Sequence, residues 1–162
     1  MKSKFTIISY FVLFLSCAFT FLIIKTIPVF INNSYYKDKL FPKIFIPTLL
    51  IFVFIYLIVG ELRTKIIIIE INKNEIKIKR FLGLKTETYK FSEVEGWKYS
   101  HLTSRGGTYE YLYLYKNNKK IIKISEFYHK NYFQLKNKIQ TNFKNLGYEQ
   151  FALMDELKEI FK

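Results

Sequence analysis

The stretch Ile58-Val59-Gly60-Glu61-Leu62-Arg63-Thr64-Lys65-Ile66-Ile67-Ile68-Ile69-Glu70-Ile71 decides the fold, because within it the chain changes both its solvent and its period. Upstream lie two charge-free apolar runs, Phe5 to Ile24 and Ile44 to Gly60. Downstream come short apolar-alternating segments dense in Lys, Tyr and Glu. A bilayer core of about 30 Å takes roughly 20 apolar residues as helix, and both runs are near that length. Residues 1–60 therefore read as a transmembrane helical hairpin, residues 61–147 as a water-facing domain, and residues 148–162 as a short amphipathic helix or tail.

Each run holds thirteen Leu, Ile, Phe or Val residues. At about −0.3 to −0.6 kcal/mol per central residue, insertion is favoured by roughly 4 to 8 kcal/mol per run. Pro47 is expected in the first turn of the second helix and Gly60 at its end, where a helix tolerates both. The connector Lys25 to Lys43 is expected to lie partly in the interface. Two spans put both chain ends on one side. Eight basic residues flank that side (Lys2, Lys4, Arg63, Lys65, Lys73, Lys77, Lys79 and Arg80) against four in the connector, so the positive-inside rule predicts cytoplasmic N- and C-termini.

Cys17 is the only cysteine, which leaves no internal disulfide and no cysteine-pair zinc site. Phe14-Leu15-Ser16-Cys17 behind Lys2 and Lys4 also fits a lipoprotein signal lipidated on Cys17. Against that reading, the apolar run continues to Ile24, beyond the roughly 7 to 15 residues of a cleaved signal. Of the 26 basic and 13 acidic residues, 20 and 12 lie beyond Gly60, a surplus of eight positive charges. That surplus suits an anionic surface, and equally a solvated Lys-rich shell.

From Lys65 the period is two. Strands are expected at Lys65 to Ile71, Glu75 to Leu82, Thr86 to Phe91, Gly96 to Leu102, Thr108 to Lys116 and Lys119 to Ser125. Turns fall at Asn72-Lys73-Asn74, whose residue types suit positive φ, and at Gly83, Ser104 to Gly107 and Asn117-Asn118. After Ser125 the spacing of Tyr128, Tyr132, Leu135, Ile139, Phe143 and Leu146 predicts one amphipathic helix capped by Ser125 and ended by Gly147. Phe151, Met154, Leu157 and Ile160 share one side of a further helical piece.

Strands at short regular spacing followed by one amphipathic helix resemble the bacterial pleckstrin-homology-like domains. The resemblance covers roughly Lys65 to Leu146. Its carriers are Ile66 to Glu75 running into Ile76-Lys77-Ile78, then Phe81-Leu82-Gly83, then Tyr89-Lys90-Phe91-Ser92-Glu93-Val94, and finally Leu112, Leu114 and Ile121-Ile122-Lys123-Ile124. It implies an α+β fold: an antiparallel barrel or sandwich of about 6 to 7 strands closed by a C-terminal helix, behind a two-helix anchor in a bacterial inner membrane. Its eukaryotic counterparts bind phosphoinositides through Lys, then basic-x-Arg, on the first hairpin. Lys73, Lys77 and Lys79 resemble that spacing, with Lys where Arg should stand and Arg80 on the opposite face. These four are the candidate contacts to an anionic lipid surface, each Lys contributing roughly 1 kcal/mol near a charged leaflet.

Catalytic constellations are sparse. His101 and His129 stand on different elements without a Cys or carboxylate at ligand spacing, Glu93 and Glu95 have Lys90 and Lys98 beside them, and no nucleophile motif occurs. Neither a metal, a cofactor nor a small-molecule substrate is implied. Ser104-Arg105-Gly106-Gly107 suits either a phosphate cradle or a plain hairpin loop. Tyr109, Tyr111, Tyr113 and Tyr115 share one face of a strand whose leucines take the other. With leucine inside, that face is expected outside, as cross-strand packing or, together with Arg105, as a partner-binding patch. Single-stranded nucleic acid is disfavoured by membrane tethering. The expected function is that of a non-enzymatic, membrane-anchored adaptor for a protein or an anionic lipid surface. The alternative is a small accessory or immunity-type subunit acting through its hairpin by way of Ser9, Ser16, Cys17 and Ala18.

Overall fold

The computed structural model describes residues 1–104, 106–152, 154 and 158. Two helices come first. α1 runs Ile7–Asn32, and α2 runs Leu40–Ile55 and continues as a π-helical turn, Tyr56–Leu62. The first segment of 26 residues and the second of 23, Leu40–Leu62, are each long and apolar enough to cross a bilayer. Both overrun the expected spans. Helix α1 continues through Lys25 and Pro28 to Asn32, so most of the expected interfacial connector is helical, and Pro47 lies well inside α2 rather than in its first turn. Hydropathy alone places an end where charge appears, whereas the backbone keeps its internal hydrogen bonds until the Asn33 side chain accepts from the Tyr35 amide.

The rest is α+β. Strands β1 (Ile68–Ile71), β2 (Glu75–Arg80) and β3 (Lys85–Lys90) form one sheet in that order. Strands β4 (Gly96–Ser104), β5 (Gly107–Lys116), β6 (Lys119–Ser125) and β7 (Asn145–Tyr148) form a second, ordered β6-β5-β4-β7. All six expected strands are present. The register Ile69 to Ile78 and Ile71 to Ile76 puts the β-branched residues on one face, and they meet Leu112, Leu114, Ile122 and Ile124 in a core between the sheets. The two sheets do not close into a barrel.

The single C-terminal helix is corrected to a shorter one. Helix α3 spans Tyr132–Asn142, and the chain then extends into β7, which pairs with β4 in parallel. Tyr128 belongs to the turn after β6. Ser125 ends a strand and accepts from the Phe127 amide instead of capping the helix. Gly147, expected beyond a helix end, has its φ of +99° inside β7. The Asn117-Asn118 turn takes positive φ at both residues, as their side chains favour, while Asn72 to Asn74 do not, because Asn72 instead bonds Glu75 through backbone and side chain. Of the expected amphipathic tail, Tyr148 ends β7 and Phe151 packs against Tyr111, while Leu157 and Ile160 lie outside the described residues.

The first six residues add an unexpected element. They run antiparallel to β1: the Ser3 amide donates to the Ile69 carbonyl at 2.8 Å, the Ile71 amide to Met1 at 2.7 Å, and the Ile69 amide to Ser3 Oγ at 2.9 Å. Their far side meets the segment before α3. Asn131 Oδ1 accepts from the Lys4 amide at 2.7 Å while its Nδ2 donates to the Lys2 carbonyl at 3.0 Å, and the Thr6 amide donates to the Tyr128 carbonyl at 3.1 Å. Helix α1 starts one residue later.

Candidate functional site

Where the helices meet the sheets, Val12 of α1, Leu57 and Leu62 after α2, Ile66 and Tyr128 form a small apolar cluster. Inside it Glu61 is 7% exposed, with Lys65 Nζ at 2.8 Å from one carboxylate oxygen and the Tyr128 hydroxyl donating at 2.6 Å to the other. Burial and then the Glu61 charge push the Tyr128 phenol above its ordinary pKa, so the hydroxyl remains a donor. Ser9 Oγ donates to the Tyr128 carbonyl at 2.9 Å.

Beside this junction His129 is buried, its Nδ1 3.0 Å from the Ser125 carbonyl and its Nε2 3.0 Å from the Ile67 carbonyl. A neutral ring donates to only one of these. Burial outweighs the gain that protonation would bring, and holds the His129 pKa below the ordinary value. These groups are committed to joining β1, β6 and the first residues, so their role is architectural.

The distinctive site is a basic cleft alongside. Arg80, at the end of β2, donates from Nη2 to the Ile121 carbonyl at 2.7 Å and from Nη1 to the Arg63 carbonyl at 3.3 Å, with Nε 3.4 Å from Glu87. Ile121 is available because the β5–β6 register shifts there: Leu114 faces Ile122 while Tyr115 faces Lys120, leaving Ile121 unopposed on an edge strand. The resulting cleft, about 770 Å³, brings together Arg63, Arg80, Lys85, Lys119, Lys120 and Lys123, with no carboxylate among its described lining residues. Carboxylates stand behind it. Glu87 pairs with Lys85 at 3.0 Å, and Glu149 with Lys120 at 2.8 Å. Burial alone would raise the Glu87 carboxyl, but Lys85 and Arg80 outweigh it and hold its pKa below the usual range.

Phe81, the first residue of the turn Phe81–Gly83 between β2 and β3, lines the cleft. Phe81 and Leu82 take φ of +48° and +59°, a left-handed conformation that costs a non-glycine residue about 1–2 kcal/mol. The turn holds Leu82 56% and Leu84 92% exposed.

The other expected sites fare differently. The tyrosine face is corrected from outside to inside: Tyr111, Tyr113 and Tyr115 are 4%, 2% and 8% exposed beneath Leu102, Leu146 and Phe151. Lys120 and Lys123 lie over the rings of Tyr113 and Tyr111, and Tyr115 bonds Glu149. Tyr109 is half-buried against Phe127, and Arg105 lies outside the described residues. On the first hairpin, Lys77 pairs with Glu75 and Lys79 with Glu70, Arg80 turns into the cleft, and exposed Lys73 sits beyond Ile71, at the sheet end remote from the helices.

In the Ser104 to Gly107 turn, polar groups bond one another, with Tyr109 donating to the Gly106 carbonyl at 2.8 Å. Glu93 pairs with Lys116 and Glu95 accepts from the Asn118 amide, so they form no acid–base couple. Ser9 and Ser16 are buried and bond within the chain, leaving Cys17 exposed. No His, Cys, Asp and Glu grouping among the described residues could hold a metal. Sequence reasoning missed the cleft because its cations come from separate segments. The one signal present was the apolar quartet Phe81-Leu82-Gly83-Leu84 in a turn between charged strands. No family model, curated protein or solved structure matches the chain.

Proposed function

We propose that this is a non-enzymatic, two-pass protein of a bacterial inner membrane whose sheet domain works as a binding module on the cytoplasmic face, with the anionic leaflet as its surface. The observation that carries the reading is the interlock of residues 1–6 with β1 and with Tyr128 and Asn131. It fixes both ends of the helical hairpin against one side of the domain, so the domain is seated at the bilayer and not tethered on a leash. The excess of Lys and Arg on that side favours the cytoplasm. Burial of Tyr111, Tyr113 and Tyr115 weighs against those three as a partner-binding patch, and the cations gathered next to Arg63 favour an anionic surface. The pleckstrin-homology-like reading accompanies this: the order of β1 to β6 and then α3 supports it, while β7 and the open sheets depart from it.

Impermeant maleimide labelling of the full chain in intact cells, in a Cys17→Ala background, tests the orientation. A Tyr36→Cys variant is expected to label directly, and a Lys73→Cys variant only after permeabilisation. Direct labelling at position 73 would overturn the reading.

A further inference from the structure

We propose that the cleft beside Arg63 takes the phosphate of an anionic lipid head group, while Leu82 and Leu84 sit in the acyl boundary of the same leaflet. Position comes first. Ile68, the first residue of β1 after the helices, pairs with Lys79, so the turn after Arg80 lies at the end of the sheet from which the second apolar helix departs. The Arg80 bond to the Arg63 carbonyl holds it there. A turn fixed at the helix end of the domain lies at the level of the head groups.

Chemistry then selects the ligand. Lys85 and Lys119 stand exposed on opposite walls of the cleft, from β3 and β6, with the Arg80 guanidinium between the two sheets. That arrangement suits a compact anion bearing several oxygens, and Thr64 and Asn118 add neutral polar groups to the same lining. Charge alone would accept any phosphate. The neighbouring leucines commit the source, because burying a side chain such as Leu82 or Leu84 is favourable by roughly 1.5–3 kcal/mol and only a bilayer offers that beside a phosphate. Both leucines project from this turn without cover, Leu84 almost wholly so.

The inference rests on the proposed seating of the domain at the leaflet, and its test is built to fail separately. The full chain is placed in nanodiscs, which expose both faces whatever the orientation in cells, and lysine acylation rates are read by mass spectrometry. Adding phosphatidylglycerol to phosphatidylcholine discs is expected to slow Lys85 and Lys119 roughly fivefold or more, the equivalent of one lysine's attraction to a charged leaflet, with Lys73 and Lys90 unchanged. The Leu82→Ser, Leu84→Ser double variant, whose side chains are exposed and whose fold is therefore retained, is expected to abolish the difference. Equal slowing at Lys73 would replace the site by diffuse attraction and leave the proposed function standing. Equal protection by inorganic phosphate or glycerol phosphate in neutral discs, indifferent to the leucines, would make the ligand soluble and overturn the lipid assignment. Lysines already slow in neutral discs, and released in the Asp155→Asn, Glu156→Gln, Glu159→Gln variant, would overturn the lipid assignment in favour of an acidic segment of the chain itself. No slowing anywhere would overturn the site and the leaflet reading together.

Discussion

Asn131→Ala should unpin the first residues of the chain while leaving both sheets intact. One side chain there satisfies two backbone groups, the Lys4 amide at 2.7 Å and the Lys2 carbonyl at 3.0 Å, across sequence separations of 127 and 129 residues. Each bond contributes about 1 kcal/mol net, so removing both should cost the interlock about 2 kcal/mol. At 1.4 kcal/mol per tenfold, that is an increase of about 30-fold in local opening. Hydrogen exchange of the peptide containing residues 1–6 in nanodiscs reads this directly, through the Ser3 and Lys4 amides. Asn131→Asp keeps the acceptor for Lys4 but turns the donor to Lys2 into a carboxylate oxygen facing the Lys2 carbonyl, so it should also open more readily than wild type. Exchange at Ser3 and Lys4 unchanged in Asn131→Ala would refute Asn131 as the latch that seats the domain against the hairpin.

Two further outcomes follow from packing and burial. A Cβ at Gly96 would overlap the Lys144 carbonyl oxygen and approach Leu146 Cγ to 2.8 Å, so Gly96→Ala must displace β7 from β4. A loss of about 2–4 kcal/mol, made of overpacking and broken Trp97 to Lys144 pairing, is expected in thermal denaturation, and a change under about 0.5 kcal/mol would mean that β7 is not seated there. Because burial holds the His129 pKa below its ordinary value of about 6.5, the unfolded chain takes up a proton first on acidification. The stability this residue confers is therefore present above about pH 6.5 and lost as pH falls through the folded-state value, a window above that of Glu87 and Glu149, whose carboxyls are held low. Melting temperature measured from neutral pH down to pH 5 should fall more steeply in wild type than in His129→Gln, and equal slopes would refute the assignment.

The parts of this fold that were legible in sequence are those with local periodicity. Ile69, Ile71, Ile76 and Ile78 alternate with Lys and Glu and are closed off by turn residues, so six strands could be placed within a few residues. β7 is four residues long, and Leu146 continues the helical stripe of Leu135 and Ile139, so nothing local separates it from α3. The β5 strand alternates two residue types that are both able to pack, so period two cannot say which face is covered, and here Leu102, Leu146 and Phe151 pack on the tyrosine face as well. The first six residues carry no apolar rhythm at all. Their partners in β1 and before α3 lie 66 or more positions away, which no local pattern reports. The same holds for the cleft, whose walls come from Arg63, Arg80, Lys85 and Lys119 and meet only because Arg80 finds an unopposed carbonyl at a bulge.

The pinned leading strand also sets an order of events at the ribosome. Ser3 is made 66 residues before Ile69, and Lys4 127 residues before Asn131. At about 5–20 residues per second these gaps last roughly 3–13 s and 6–25 s. The two apolar helices are made during the first interval, and through it the Ser3 and Lys4 amides have none of their sheet or Asn131 partners. β1 supplies the partners for one side of them as it emerges, and Asn131 those for the other only after β1 to β6 have been made, so the interlock closes late, with six of the strands already available to fold.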